Sequence, residues 1–198
     1  MATIRAANAD DADAIAGVHV AAWQRGYAGL LPADQLAALS VPERAEGWRR
    51  HFAEEGEGWV WVAGDVDGQV QGFASIGPSR DADAPTGTGE LYTIYVHPQC
   101  WSTGVGKKLL ATAVETLASR FGTAMLWVLE GNSRARQFYQ AQGWQPDGAQ
   151  KTAKGGQSFL NEVRYRLARR APNLREGADT GDRRRLRSAS RWLLLQLR

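Results

Sequence analysis

The chain has 198 residues, 43% of them hydrophobic, enough for one domain with a sizeable core. Its formal charge of +3 is uneven: residues 171–198 hold seven Arg against three acids, and the remainder carries a net −1. That near-neutral body argues against nucleic acid as the main partner. The single cysteine, Cys100, rules out an internal disulfide and points to a reducing, cytoplasmic setting. Neither a signal-peptide pattern at residues 1–13 nor a run of ~20 apolar residues is present, so no membrane span is expected.

In chain order, Ile4-Arg5-Ala6 reads as a short strand. Residues 11–23 read as a helix with Ile15, Val18 and Ala22 on one face. Ser40 and Glu43 have capping-box spacing ahead of a second helix that would bury Ala45, Trp48 and Phe52. Trp59-Val60-Trp61-Val62 and residues 70–76 read as strands joined by a hairpin at Asp65-Val66-Asp67-Gly68. Residues 77–89 form a loop rich in Gly, Pro and Asp, and residues 91–96 a central strand. A helical pattern covers 108–121, Leu126-Trp127-Val128-Leu129 reads as a buried strand, a helix carries Phe138 and Tyr139, and 159–167 closes the domain as a strand after a Gly155-Gly156 turn. Residues 171–182 lack apolar periodicity and read as a linker. The basic run beyond them reads as a disordered extension, or as a short amphipathic helix for a partner or membrane surface.

The segment between the central strand and the helix after it carries the chemistry. It reads His97-Pro98, then Gly104-Val105-Gly106 at a helix start. A helix start offers unpaired N–H groups and a positive dipole end, and glycine lets a phosphate approach them. A Walker A loop would need Ser or Thr after its Lys, but Gly106 is followed by Lys107-Lys108. A dinucleotide fingerprint would need three glycines near the N-terminus.

Tyr95-Val96-His97-Pro98 with Gly104-Val105-Gly106-Lys107-Lys108-Leu109-Leu110 resembles the acyl-CoA loop of the GNAT superfamily of N-acyltransferases. A second block is similar to the same family: the strand 126–129, Asn132, Ala135, Phe138, Tyr139, then Gly143-Trp144. The resemblance covers roughly residues 2–168, with 169–198 as a basic tail. It implies an α/β (α+β) GNAT fold: a mixed, largely antiparallel twisted sheet of six to seven strands, about four helices, and a V-shaped splay between the fourth and fifth strands. It implies acetyl-CoA as co-substrate, with its pyrophosphate on the backbone of Ser102, Thr103, Gly104, Val105, Gly106 and Lys107, and its pantetheine arm against Ile94, Tyr95 and Val96. Asn132 and Phe138 would complete that site. Trp101 stands where the family usually has Gln or Arg, and Ser102 where it usually has Gly; the hydroxyls of Ser102 and Thr103 could bond phosphate instead.

For chemistry, Tyr139 is the expected general acid, since a phenol is protonated at neutral pH and can protonate a thiolate. Glu90, at the start of the central strand, is the expected general base. Trp23 and Tyr27, spaced i, i+4, are the expected acceptor-binding pair. No His/Cys/Asp spacing suggests a metal site, and Cys100 has no base near it in sequence. The expectation is an N-acetyltransferase acting by direct attack on a primary amine of a small molecule or protein, as a monomer or a homodimer. The alternative is an acyl-CoA-binding or regulatory module of the same fold without turnover.

Overall fold

A computed structural model describes residues 2–54, 56, 58–155 and 158–167. The 168/169 domain boundary and the reading of the tail lie outside those residues. The strands are β1 (Thr3–Ala6), β2 (Trp59–Gly64), β3 (Val70–Pro78), β4 (Thr88–Val96), β5 (Thr123–Leu129), β6 (Trp144–Gly155) and β7 (Ser158–Leu167). The helices are α1 (Ala12–Gly26), α2 (Ala33–Ala37), α3 (Val41–Ala53), α4 (Val105–Arg120) and α5 (Ser133–Ala141). One seven-stranded sheet runs β1-β2-β3-β4-β5-β7-β6. Every pairing is antiparallel except β4 with β5. The expected fold class is the observed one.

Local chemistry explains most element ends. Asn8 and Asp11 form a reciprocal capping box on the short 3-10 turn that leads into α1. The Ser40 hydroxyl accepts from the Glu43 N–H at 3.3 Å and starts α3. The hairpin turn falls where expected, with Gly68 in the left-handed region at φ +81.

Three elements differ from the sequence reading. The five-residue α2 is too short to show a helical period. β6 has no counterpart in the sequence reading and runs through Pro146, Asp147 and Gly148; a register shift between Pro146 and Gln150 absorbs them, and β6 is an edge strand, where proline is tolerated. Helix α4 also begins at Val105, three residues earlier than the apolar pattern indicates.

Packing is layered. One face of the sheet buries Leu109, Leu110, Ala113 and Leu117 of α4 against Ile76, Leu91 and Leu126. The other carries Ile15 and Val18 of α1 and Ala45 and Trp48 of α3 on Val62 and Phe73. Gly89 in β4 has no room to grow: a Cβ there would stand 2.6 Å from both Leu117 and Phe121 side-chain carbons.

The parallel pairing positions the site. Only residues 88–91 of β4 pair with β5, at residues 123–126. Beyond Leu91 the two strands part, which forms the V.

Candidate active site

The splay opens into a cleft of about 550 Å³, lined by the end of β4, the loop to α4, the start of α5, and side chains from α1, the β3–β4 loop, β6 and β7. Its two ends are built differently.

At one end the backbone does the work. His97 N–H donates to Gln71 O at 2.8 Å, toward β3. Because strand groups alternate in direction, the N–H and C=O of Val96 and Ile94 point the other way, into the splay. The Val96 carbonyl already accepts from the Trp101 indole N–H at 2.8 Å. The loop then turns through two left-handed residues, Ser102 (φ +65) and Gly104 (φ +90). Ser102 holds a conformation that costs a side-chain-bearing residue ~1–2 kcal/mol. Gly104 caps α4 with no side-chain hydrogen bond. The first backbone bond of α4 is Lys108 N–H to Gly104 O, so the N–H groups of Val105, Gly106 and Lys107 have no intrahelical acceptor. A helix start of this kind can hold an anion, and Ser102, Gly104 and Lys107 are exposed around it.

Thr103 Oγ1 donates to Cys100 O at 2.7 Å, a bond that holds the loop's shape. A residue that sequence reading missed is Arg134, whose guanidinium stacks on the Trp101 ring at 3.5 Å from the centroid. Burial, with the Arg25 charge second, lowers its pKa.

Helix α5 carries the next group. The Asn132 side chain accepts from Ala135 N–H at 3.0 Å, so it is a helix cap as well as a cleft residue. Phe138 lies under the cradle, where a Cβ on Gly106 would stand 3.7 Å from its ring. Tyr139 is buried against Phe138 and Trp144 and lines the cleft. Burial, with Tyr95 second, pushes its phenol well above the ordinary value, so it is a proton donor throughout the physiological range.

The far end is built from side chains. Trp23 and Tyr27 do share a face of α1, with ring centroids 4.9 Å apart. The Tyr27 hydroxyl lies 3.3 Å from that of Tyr95, and burial followed by this neighbour raises its pKa strongly. Beneath them His19 is stacked on Tyr95 at 5.1 Å, and neither ring nitrogen has a hydrogen-bond partner. Burial, with the Arg44 charge second, lowers its pKa to about 3.

Glu90 is in the cleft but is not a free carboxylate. Its side chain is 2% exposed, and Arg80 addresses it three times: backbone N–H to Oε2 at 2.9 Å, Nε to Oε1 at 3.2 Å and Nη2 to Oε1 at 2.5 Å. Asp81 then ties the same loop to the far strands, receiving Trp127 Nε1–H at 3.0 Å and Arg164 Nη1–H at 3.2 Å. Lys151 and Glu162 complete this end. Arg80, Asp81, Lys151 and Glu162 carry no local motif, and sequence reading missed all four. No metal-binding group of three or more His, Cys, Asp or Glu occurs among the described residues.

A family model described as acetyltransferase (GNAT) family matches residues 23–144, from the end of α1 to the start of β6. The chain belongs to the GNAT acetyltransferase family. An uncharacterized N-acetyltransferase of Bacillus subtilis, YuaI, is 37% identical over 142 residues, 71% of this chain and 79% of that protein. A probable N-acetyltransferase of Mycobacterium tuberculosis is 30% identical over 171 residues, 85% of this chain and 95% of that one. The GNAT fold is matched by the crystal structure of the PaiA N-acetyltransferase of Thermoplasma acidophilum in complex with coenzyme A. That match has a TM-score of 0.65 at 18% identity, covering 82% of this chain and 98% of the other. The chain is thus an acyltransferase, and no described helix is long and apolar enough to cross a membrane.

Proposed function

We propose that this GNAT protein moves an acetyl group from acetyl-CoA to a primary amine by direct attack. One observation carries the reading: the splay at Ile94 and Val96 runs straight into a helix start with uncapped N–H groups. That pairing suits a donor with an amide-bearing arm and a pyrophosphate. The arm would bond the inward-facing groups of Ile94 in the manner of strand addition. The pyrophosphate would take the N–H groups around Val105 to Lys107. Such a molecule is the ligand in the Thermoplasma acidophilum structure named above.

Bound so, the thioester lies between β4 and α5. The Val96 N–H is the candidate oxyanion donor, a fixed dipole that needs no reorganisation as charge develops. The amine enters from the Trp23–Tyr27 side, attacks the carbonyl carbon and expels the thiolate. Tyr139 gives the thiolate its proton. The Glu90–Arg80 pair holds the β3–β4 loop over the apex of the V, which makes Glu90 a positioning residue in this account rather than the expected base.

The test is free-thiol release from acetyl-CoA across a library of primary amines, with products identified by mass. Amine-dependent thiol release with an acetylated product is expected. Coenzyme A binding without turnover on any amine would leave an acyl-CoA-binding module instead.

A further inference from the structure

With Glu90 engaged by Arg80, direct attack still needs a group to take the proton that the amine sheds. We propose that Glu162 of β7 is this general base. The inference rests on the acyl-transfer reading given above.

Register puts Glu162 beside the reacting centre. It pairs with Leu129, the last residue of β5, three positions before Asn132 and the helix that carries Tyr139. Its side chain lines the cleft with Tyr27, Tyr95 and Tyr139. It is half-way between buried and open, at 23% exposure, so a ligand can reach it and bulk water does not swamp it. Its cationic neighbour is loose: Lys151, opposite it on β6, holds Nζ at 3.7 Å from Oε2, beyond good hydrogen-bond distance. Glu90, by contrast, is closed off at 2% exposure under three donors.

The charged groups facing Glu162 come from several elements: Lys151 on β6, Arg80 before β4 and Glu90 within it, with Tyr95 on β4 and Tyr27 on α1 also in its field. Burial raises the carboxyl above its ordinary range, Lys151 and Arg80 oppose this, and Glu90 adds to it. A carboxylate moved toward neutrality is a better proton acceptor at working pH than one locked in an ion pair.

The proton count closes. The ammonium form of the acceptor loses one proton to water before attack. The neutral amine forms the C–N bond, and Glu162 takes a proton from the nitrogen. The C–S bond breaks, and the sulfur takes the Tyr139 proton. The proton on Glu162 then returns to the phenolate, so both residues regain their starting state and one proton is released overall.

Glu162→Gln keeps shape and removes basicity. It should bind coenzyme A in calorimetry as the wild type does, melt at a similar temperature, and lose about 10²–10⁴-fold in kcat, the usual worth of a general base. The same assay on Glu90→Gln should show a smaller loss in kcat and a larger drop in melting temperature. Lys151→Met removes the opposing cation, so the acidic limb of kcat against pH, measured at saturating amine, should move upward. Wild-type kcat in a folded Glu162→Gln that binds coenzyme A would overturn the assignment alone, as would an unmoved limb in Lys151→Met. Failure of the wild-type protein to bind coenzyme A would overturn the acyl-transfer reading and this assignment with it.

Discussion

The two ends of the cleft are made of different material. The end proposed for the donor is backbone: inward-facing strand groups at Ile94 and Val96 and open N–H groups at the start of α4. The end proposed for the acceptor is side chains drawn from several separate elements and held by ion pairs such as Arg80–Glu90 and Arg164–Asp147. Backbone recognition depends on conformation and tolerates changes of residue type. Side-chain recognition depends on residue identity, and a single substitution can redirect it.

The sharpest probe of this contrast lies at the boundary. Tyr139→Phe keeps the ring between Phe138 and Trp144 and removes the hydroxyl alone. Turnover should fall ~10²–10⁴-fold while coenzyme A affinity stays level. Steady-state kinetics beside calorimetry separate the two; a matching loss of affinity would tie the hydroxyl to donor binding and blur the boundary.

At the acceptor end, Glu90→Ala should strand Arg80 in a buried site. Breaking one partner of such a pair costs ~3–5 kcal/mol, read as a shifted denaturant midpoint. A midpoint equal to wild type would show that the pair does not hold the loop.

His19, under the same end, sets an acid limit on stability. Its folded pKa of about 3 lies below the 6.5 of a free histidine, so the unfolded chain binds the extra proton between those values. Its contribution is complete above pH 6.5 and falls away as pH drops toward 3. From pH 7 to pH 5 the loss is ~2 kcal/mol. His19→Phe removes two orphaned nitrogens and should flatten that part of the pH–stability curve in urea melts. An unchanged slope would mean that other groups carry the acid sensitivity.

The smallest effects belong to the donor end and have opposite signs. Gly104→Val forces a branched residue to φ +90, costs ~1–2 kcal/mol and narrows the cradle, so coenzyme A affinity should drop. Ser102→Gly should gain ~1 kcal/mol in stability and leave affinity alone. If Ser102→Gly instead weakened binding, the hydroxyl would be a ligand and the donor end would no longer be backbone alone.

The same contrast explains what was legible in the sequence. His97-Pro98, the Gly104-Val105-Gly106 turn and the spacing of Asn132 to Tyr139 act within one strand–loop–helix unit, so their order in the chain is their order in space. Arg80, Asp81, Lys151, Glu162 and Arg164 meet only through strand pairing across the splay. In sequence they look like charged loop and edge-strand residues. Glu90 was visible as an acid at the right place, but its engagement depends on a loop residue ten positions earlier that carries no motif. β6 was hidden for a related reason: an edge strand can hold Pro146, Asp147 and Gly148 in a bulge, and such residues break the alternation that marks a strand.

The apex of the V has a consequence for how a donor is received. β4 and β5 are joined by four residues a side, and Gly89 in that stretch packs so closely on Leu117 and Phe121 that a methyl group would not fit. The angle between the arms is therefore set by side-chain packing under the apex, before any ligand arrives. The ordering cost of the cleft is met during folding, and little of it is left for the encounter. A single methyl at Gly89 would act as a wedge at a fulcrum, changing the opening at Val96 by pushing on Leu117 and Phe121, which lie outside the cleft.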